Sequence, residues 1–211
     1  MRVDRGALGR RFARLVTTAV VGRPALWALF RGPLRRQFEG LAPTWDSRRT
    51  PGGLAPLDAA LEAVSPPPAR VLDLGTGTGT AALAIAARWP QVEVIGVDLA
   101  AAMVEEARRK TPPALAARVR FERGDAARLA HADGTFDLVV LANMIPFFDE
   151  LARVIAPGGA AVFSSSLGAA TPIAVPQERL RAELGRRGFA QFATFSAGSG
   201  TALLARKVTS A

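Results

Sequence analysis

Residues 71–79, Val71-Leu72-Asp73-Leu74-Gly75-Thr76-Gly77-Thr78-Gly79, set a short apolar run directly before three glycines at alternate positions. The run predicts a buried strand ending at Leu74, and the glycines let the chain turn tightly and approach a ligand without Cβ atoms in the way. An Ala-rich helical stretch at 79–88 follows, so free backbone N–H groups and the positive end of a helix point at the same spot. Nineteen residues past Gly79, Asp98 closes the next apolar run, VEVIGV at 92–97. A carboxylate at that position accepts hydrogen bonds from both ribose hydroxyls of an adenosine-type ligand.

Outward from this unit, β-branched runs keep alternating with Ala-rich helical stretches. VRFE (119–122), FDLVVLA (136–142) with 147–155, and AAVFSSS (160–166) with 176–187 continue the pattern. Such alternation predicts α/β architecture around a buried, mostly parallel sheet. FATFS (192–196) and TALLARKV (201–208) are separated only by Ala197-Gly198-Ser199-Gly200, a hairpin that adds an antiparallel terminal strand. Before the sheet, Leu54, Leu57, Leu61 and Val64 mark a short amphipathic helix and PTWDSRRTPGG (43–53) a loop. The expected division is a helical arm at 1–53 and a cofactor-binding domain at 54–211.

Small departures choose the cofactor. A dinucleotide fingerprint wants a glycine at the sixth position from Gly75, where Thr80 stands, and a phosphate-binding loop wants Gly-Lys-Ser/Thr, which is missing. Asp73 would set a negative charge against a pyrophosphate. It suits a ligand whose nearby end is positive, and S-adenosylmethionine carries an ammonium and a sulfonium and no phosphate.

The pattern D-x-G-x-G-x-G ending a first strand, with an acid ending the second, resembles the class I S-adenosylmethionine-dependent methyltransferases. The likeness continues through Gly124-Asp125-Ala126, Asp133-Gly134-Thr135-Phe136-Asp137-Leu138-Val139-Val140 and Leu151-Ala152-Arg153-Val154-Ile155-Ala156-Pro157-Gly158-Gly159. These segments are similar to the small-molecule group that includes the ubiquinone and menaquinone C-methyltransferases, and Ala42-Pro43-Thr44-Trp45-Asp46 resembles the segment preceding the core there. The resemblance covers residues 54–208 and implies a Rossmann-like, seven-stranded sheet. It implies that Asp73, Gly75, Thr76, Gly77 and Gly79 line the methionine end of the cofactor, that Asp98 binds the ribose and that Leu99 lies beside the adenine. Asp125 would accept from the adenine amino group, and Ala126 would offer its backbone N–H. Asn143 faces either the methionine moiety or the substrate, or is a turn residue; Met144, Phe147 and Trp45 are further candidates for the acceptor site. The segment 141–150 (LANMIPFFDE) is shorter than in typical members, so no catalytic residue carries over.

Composition narrows the chemistry. The chain has no cysteine and one histidine, His131, which excludes thiolate nucleophiles and sulfur-based zinc sites and argues against a Ser/His relay. Two lysines, Lys110 and Lys207, cannot supply a two-lysine ribose-methylating site, and no acidic cluster suggests a metal. His131 reads as an adenine-side or solvent residue, and Asp149 and Glu150 as charges favoured by a helix N-terminus. No general base is assigned. What remains is oxygen or carbon methylation of a small, apolar acceptor.

The charge is uneven. Residues 1–50 hold eleven arginines against three acids, whereas the remaining 161 residues carry sixteen basic and fifteen acidic groups. Leu8, Phe12, Leu15, Val16 and Val20 recur at helical spacing, Gly22 and Pro24 should end that helix, and Gly32-Pro33 should interrupt the next. The arm predicts a lid over the acceptor site, a peripheral membrane contact or a part of the core. An RNA-binding methyltransferase gripping phosphates is the competing reading, opposed by the lack of a base-stacking aromatic set; a cofactor-binding protein without catalysis is another. The first residues lack an uninterrupted apolar stretch with a small-residue cleavage site, which predicts a cytoplasmic chain. Oligomeric state is not legible.

Overall fold

The computed structural model describes residues 5–209, with side chains from residue 9 onward; Leu8 of the expected helical stripe, and Arg2 and Asp4 of the charge count, fall outside. Among the described residues seven strands make one sheet: β1 (Arg70–Leu74), β2 (Glu93–Asp98), β3 (Val119–Arg123), β4 (Phe136–Ala142), β5 (Ile155–Ser165), β6 (Phe189–Ala197) and β7 (Gly200–Lys207). Their order is β3-β2-β1-β4-β5-β7-β6. β1 to β5 pair in parallel, and β7 runs antiparallel to both neighbours, β5 and β6. β1 lies between β2 and β4, so the sheet grows outward in both directions from that pair, and a crevice opens at the carboxyl ends beside it.

Side chains of successive strand residues point to opposite faces. One face carries Leu72, Leu74, Ile95, Val97, Val139, Leu141, Ala161, Phe163, Leu203 and Ala205. It is covered by α1 (Arg5–Gly22), α2 (Trp27–Leu41), α6 (Phe148–Val154) and α7 (Gln177–Gly185), which supply Val16, Val20, Trp27, Leu151, Leu180 and Leu184. The opposite face carries Val71, Val94, Phe121, Leu138, Val140, Val162 and Leu204. There α3 (Ala55–Glu62), α4 (Thr80–Arg88) and α5 (Ala101–Lys110) contribute Leu57, Leu61, Ala82, Ile85, Val104 and Ala107. Burial on both faces is why the strands read as continuous apolar runs.

The helical arm packs on the domain. Val16, Val20 and Trp27 are buried in the sheet's own core, and Arg179 Nη2 donates to Val21 O at 3.2 Å. α1 ends at Gly22, as the Gly22/Pro24 pair predicts. The expected break at Gly32-Pro33 does not occur, because α2 runs unbroken from Trp27 to Leu41 with Pro33 inside it. Gly32 has no Cβ to meet the proline ring, and the carbonyl that loses its donor belongs to exposed Leu29, which is open to solvent. A second difference lies at β5, which begins at Ile155 and not at Ala160. Phe136 pairs with Ile155 and Leu138 with Ala160, so a bulge absorbs the Pro157-Gly158-Gly159 segment without ending the strand.

Candidate active site

The glycine loop leaves β1 at the crevice. Gly75 and Gly77 have φ of 68° and 54°, values that favour glycine, and both are closely approached. A Cβ on Gly75 would lie 2.6 Å from Met144 Sδ, and one on Gly77 would lie 3.2 Å from Trp45 Nε1. Met144 and Trp45 therefore flank the loop from two sides. Gly79 is the N-cap of α4, and in the first turn of that helix the Ala82 N–H donates to Asp73.

Three acids converge here from three strand ends. Asp73 is fully buried on β1: its Oδ2 accepts from Thr76 Oγ1 at 2.6 Å and from the Ala82 N–H at 3.1 Å. Its Oδ1 has no hydrogen-bond partner among the described residues. Burial raises the Asp73 carboxyl to about 7, against the opposing pull of those two bonds. Asp98, ending β2, accepts from the Gly77 N–H and the Ala100 N–H at 2.9 Å each, which fixes the loop against the second strand. Burial pushes its carboxyl up as well. Leu99 follows it, half-buried beside the core. Asp125, after β3, accepts from Trp27 Nε1 at 2.8 Å and from the Ala127 N–H at 3.0 Å, with Arg31 Nη1 3.4 Å away. Ala126 is buried next to it.

A cavity of about 310 Å³ lies past the ends of β4 and β5, under α1 and the 166–176 loop. Leu141, Met144, Phe163, Ile173, Val175, Leu180 and Leu203 give it apolar walls. Asn143, Ser164, Ser165, Gln177 and Thr201 add neutral polar groups, and Arg14 the single formal charge among the described lining residues. Of the four acceptor-site candidates, Asn143 and Met144 reach this cavity. Asn143 has a φ of 54°, and its Oδ1 accepts from the Ser166 N–H at 3.0 Å, so it also ties the turn after β4 to the segment leaving β5. Phe147 is buried edge-on against Trp27, with ring centroids 5.1 Å apart, and Trp45 stands at the glycine loop against Phe38.

His131 packs on Phe136 with Nε2 3.6 Å from Glu122 Oε2, away from the cavity. Asp149 pairs with Arg187 at 2.7 Å, and Glu150 accepts from the Leu129 N–H at 2.7 Å and pairs with Arg153. Two residues at the crevice escape local pattern reading. Glu39 accepts from the Ala101 and Ala102 N–H groups at 3.0 Å each, capping α5, and these bonds hold its carboxyl below the ordinary range. Its signal was its isolation as the only acid between residues 5 and 45. Trp27 gave no such signal.

Residues 71–159 match the family model described as a methyltransferase domain. The match spans β1 to β4 and the start of β5, within a seven-stranded sheet of Rossmann-like α/β topology. Among curated relatives, the chain is 43% identical over 108 residues to demethylmenaquinone methyltransferase of Deinococcus radiodurans, covering 48% of this chain and 44% of that one. It is 44% identical over 110 residues to the Thermus thermophilus protein of the same name, covering 49% and 48%. The matched stretch thus spans less than half the length of either relative. A solved SAM-dependent methyltransferase from Aquifex aeolicus superposes with a TM-score of 0.65 at 18% identity, over 79% of this chain and 98% of that one.

Proposed function

We propose that this protein transfers a methyl group from S-adenosylmethionine to a small organic acceptor held in the cavity past β4 and β5. The observation that carries the reading is the buried, unpartnered Oδ1 of Asp73 beside a glycine loop that Asp98 clamps from the next strand. A buried carboxylate oxygen without a donor is costly, and a ligand ammonium satisfies it. Asp98 would hold the ribose hydroxyls beside Leu99, and Asp125 with the Ala126 N–H would take the adenine edge. Gly75, Thr76, Gly77 and Gly79 would let the methionine end approach the backbone. Bound there, S-adenosylmethionine supplies a methyl group already activated on sulfur. The protein's task is then to position the acceptor in line at about 3 Å, and a base is needed only for an acceptor that is protonated at neutral pH. Met144, which packs against the loop at Gly75 and lines the cavity, and Asn143, which lines it, are placed to orient it.

The curated relatives named demethylmenaquinone methyltransferase are named for an organic acceptor, which supports the acceptor class proposed here. The exposures of Phe12 (44%), Leu15 (60%) and Leu29 (68%) on an arginine-rich arm favour a second role for α1 and α2, contact with an anionic membrane surface. No described helix is long and apolar enough to cross a membrane. Calorimetry with S-adenosylhomocysteine, with a nicotinamide dinucleotide as control, tests the cofactor: micromolar binding of the first alone supports it, and preference for the dinucleotide overturns it. A cofactor-bound protein that methylates none of a panel of apolar acids, phenols and enols would be a binding module.

A further inference from the structure

Arg14 is the one charged residue among the described groups lining the cavity, in a wall otherwise made of apolar and neutral polar side chains. Its Nη2 donates to Ala169 O at 3.2 Å and Thr171 O at 3.4 Å, which fixes the guanidinium at the cavity rim. Among the described residues, Nε and Nη1 make no hydrogen bond, so the outer edge of the fork is unused. The first turn of α7 converges on the same space, since Pro176, Gln177 and Leu180 line it and no side chain caps that helix. Its unpaired N–H groups add partial positive charge. Glu178, in that first turn, is exposed and stays out of the lining. No carboxylate, histidine or lysine is among the described lining residues.

These observations point one way. We infer that the acceptor is an apolar molecule bearing one anionic oxygen group, a carboxylate or an ionised enol, and that Arg14 is the residue that selects it. The inference rests on reading this cavity as the acceptor site. A guanidinium against an anionic oxygen makes a short, charge-assisted pair, whereas the neutral form or an ester offers a weaker acceptor and leaves the charge without a counter-ion. An acceptor that arrives ionised gives up no proton to the protein, which fits a cavity with no base among its described lining residues.

The test uses the full chain saturated with S-adenosylhomocysteine, titrated by calorimetry with 2-naphthoate and with methyl 2-naphthoate. The acid should bind at least tenfold more tightly than its ester. Arg14→Gln and Arg14→Met should both erase the preference, and Arg14→Lys should restore part of it, all with unchanged affinity for S-adenosylhomocysteine. Two neutral variants are named because Arg14 also ties α1 to the 166–176 loop; the apolar stem of Met preserves packing if Gln does not fold. Equal binding of acid and ester, binding of neither, or a preference that survives in the neutral variants would each overturn the assignment while leaving the methyltransferase reading intact. Failure of S-adenosylhomocysteine itself to bind would instead overturn that underlying reading.

Discussion

Trp27 Nε1 donates to Asp125 Oδ1 at 2.8 Å, so α2 is tied to the loop after β3 through the carboxylate proposed to meet adenine. One oxygen serves the arm and the Ala127 N–H, and the other lies toward Arg31. Trp27→Phe keeps an aromatic ring against Phe147 but removes the donor. It should cost about 1–2 kcal/mol of folding stability, the range for a bond to a charged acceptor that is partly solvated. Chemical denaturation measures this, and an unchanged midpoint would show that the bond contributes nothing net.

Asp98→Ala removes the acceptor proposed for two ribose hydroxyls and also frees the Gly77 N–H. Affinity for S-adenosylhomocysteine should fall by about 10- to 150-fold, the equivalent of roughly 1.5–3 kcal/mol. Calorimetry on folded variant reads it out. Unaltered affinity would remove Asp98 from the site.

Asp73 gives a pH signature. Its folded value of about 7 lies above its ordinary 3.8, so its contribution to stability is complete below about 3.8 and is lost as pH rises through about 7. An ammonium beside it favours the carboxylate, so ligand binding should expel a proton. The affinity for S-adenosylhomocysteine should therefore rise by about tenfold or more between roughly pH 5.5 and 7.5. Asp73→Asn should flatten the profile. A wild-type profile without slope in that range would place the ammonium elsewhere.

Gly77→Val combines a φ of 54° with a Cβ 3.2 Å from the Trp45 indole, and its branches reach further still. Loss of detectable S-adenosylhomocysteine binding is expected, with near-native far-UV circular dichroism. Retained affinity would mean that the ligand does not approach this part of the loop.

Leu15→Ser combined with Leu29→Ser should abolish co-sedimentation with anionic vesicles at low salt, while leaving the unfolding midpoint within about 1 °C, because both side chains are exposed. Wild-type protein that ignores such vesicles would end the interfacial reading.

The crevice was legible in the sequence because its parts are local. Glycine turns, strand ends and the acids that follow them are set by neighbours in the chain, and β1 to β4 fall within a residue or two of the apolar runs that announce them. Contacts onto the crevice were not legible. Trp27 and Asp125 are 98 positions apart, and Glu39 and Ala101 are 62 apart, so only the packed sheet brings them together. Phe147 illustrates the same limit: its apolar neighbourhood suits a pocket wall and a core equally, and Trp27 decides for the core. Pro33 misled because a proline rule assumes an ordinary residue before it, and Gly32 is not one.

The placement of β7 between β5 and β6 constrains biogenesis. On a ribosome β6 emerges before β7, when the free edge of β5 is still waiting for residues 200–207. Until they arrive, β5 and β6 are both open to foreign strands, although the four strands β3-β2-β1-β4 have long since been made. A message cut short within β7 would thus yield an adhesive product, so chaperone demand for this chain should persist until residues 200–207 have emerged.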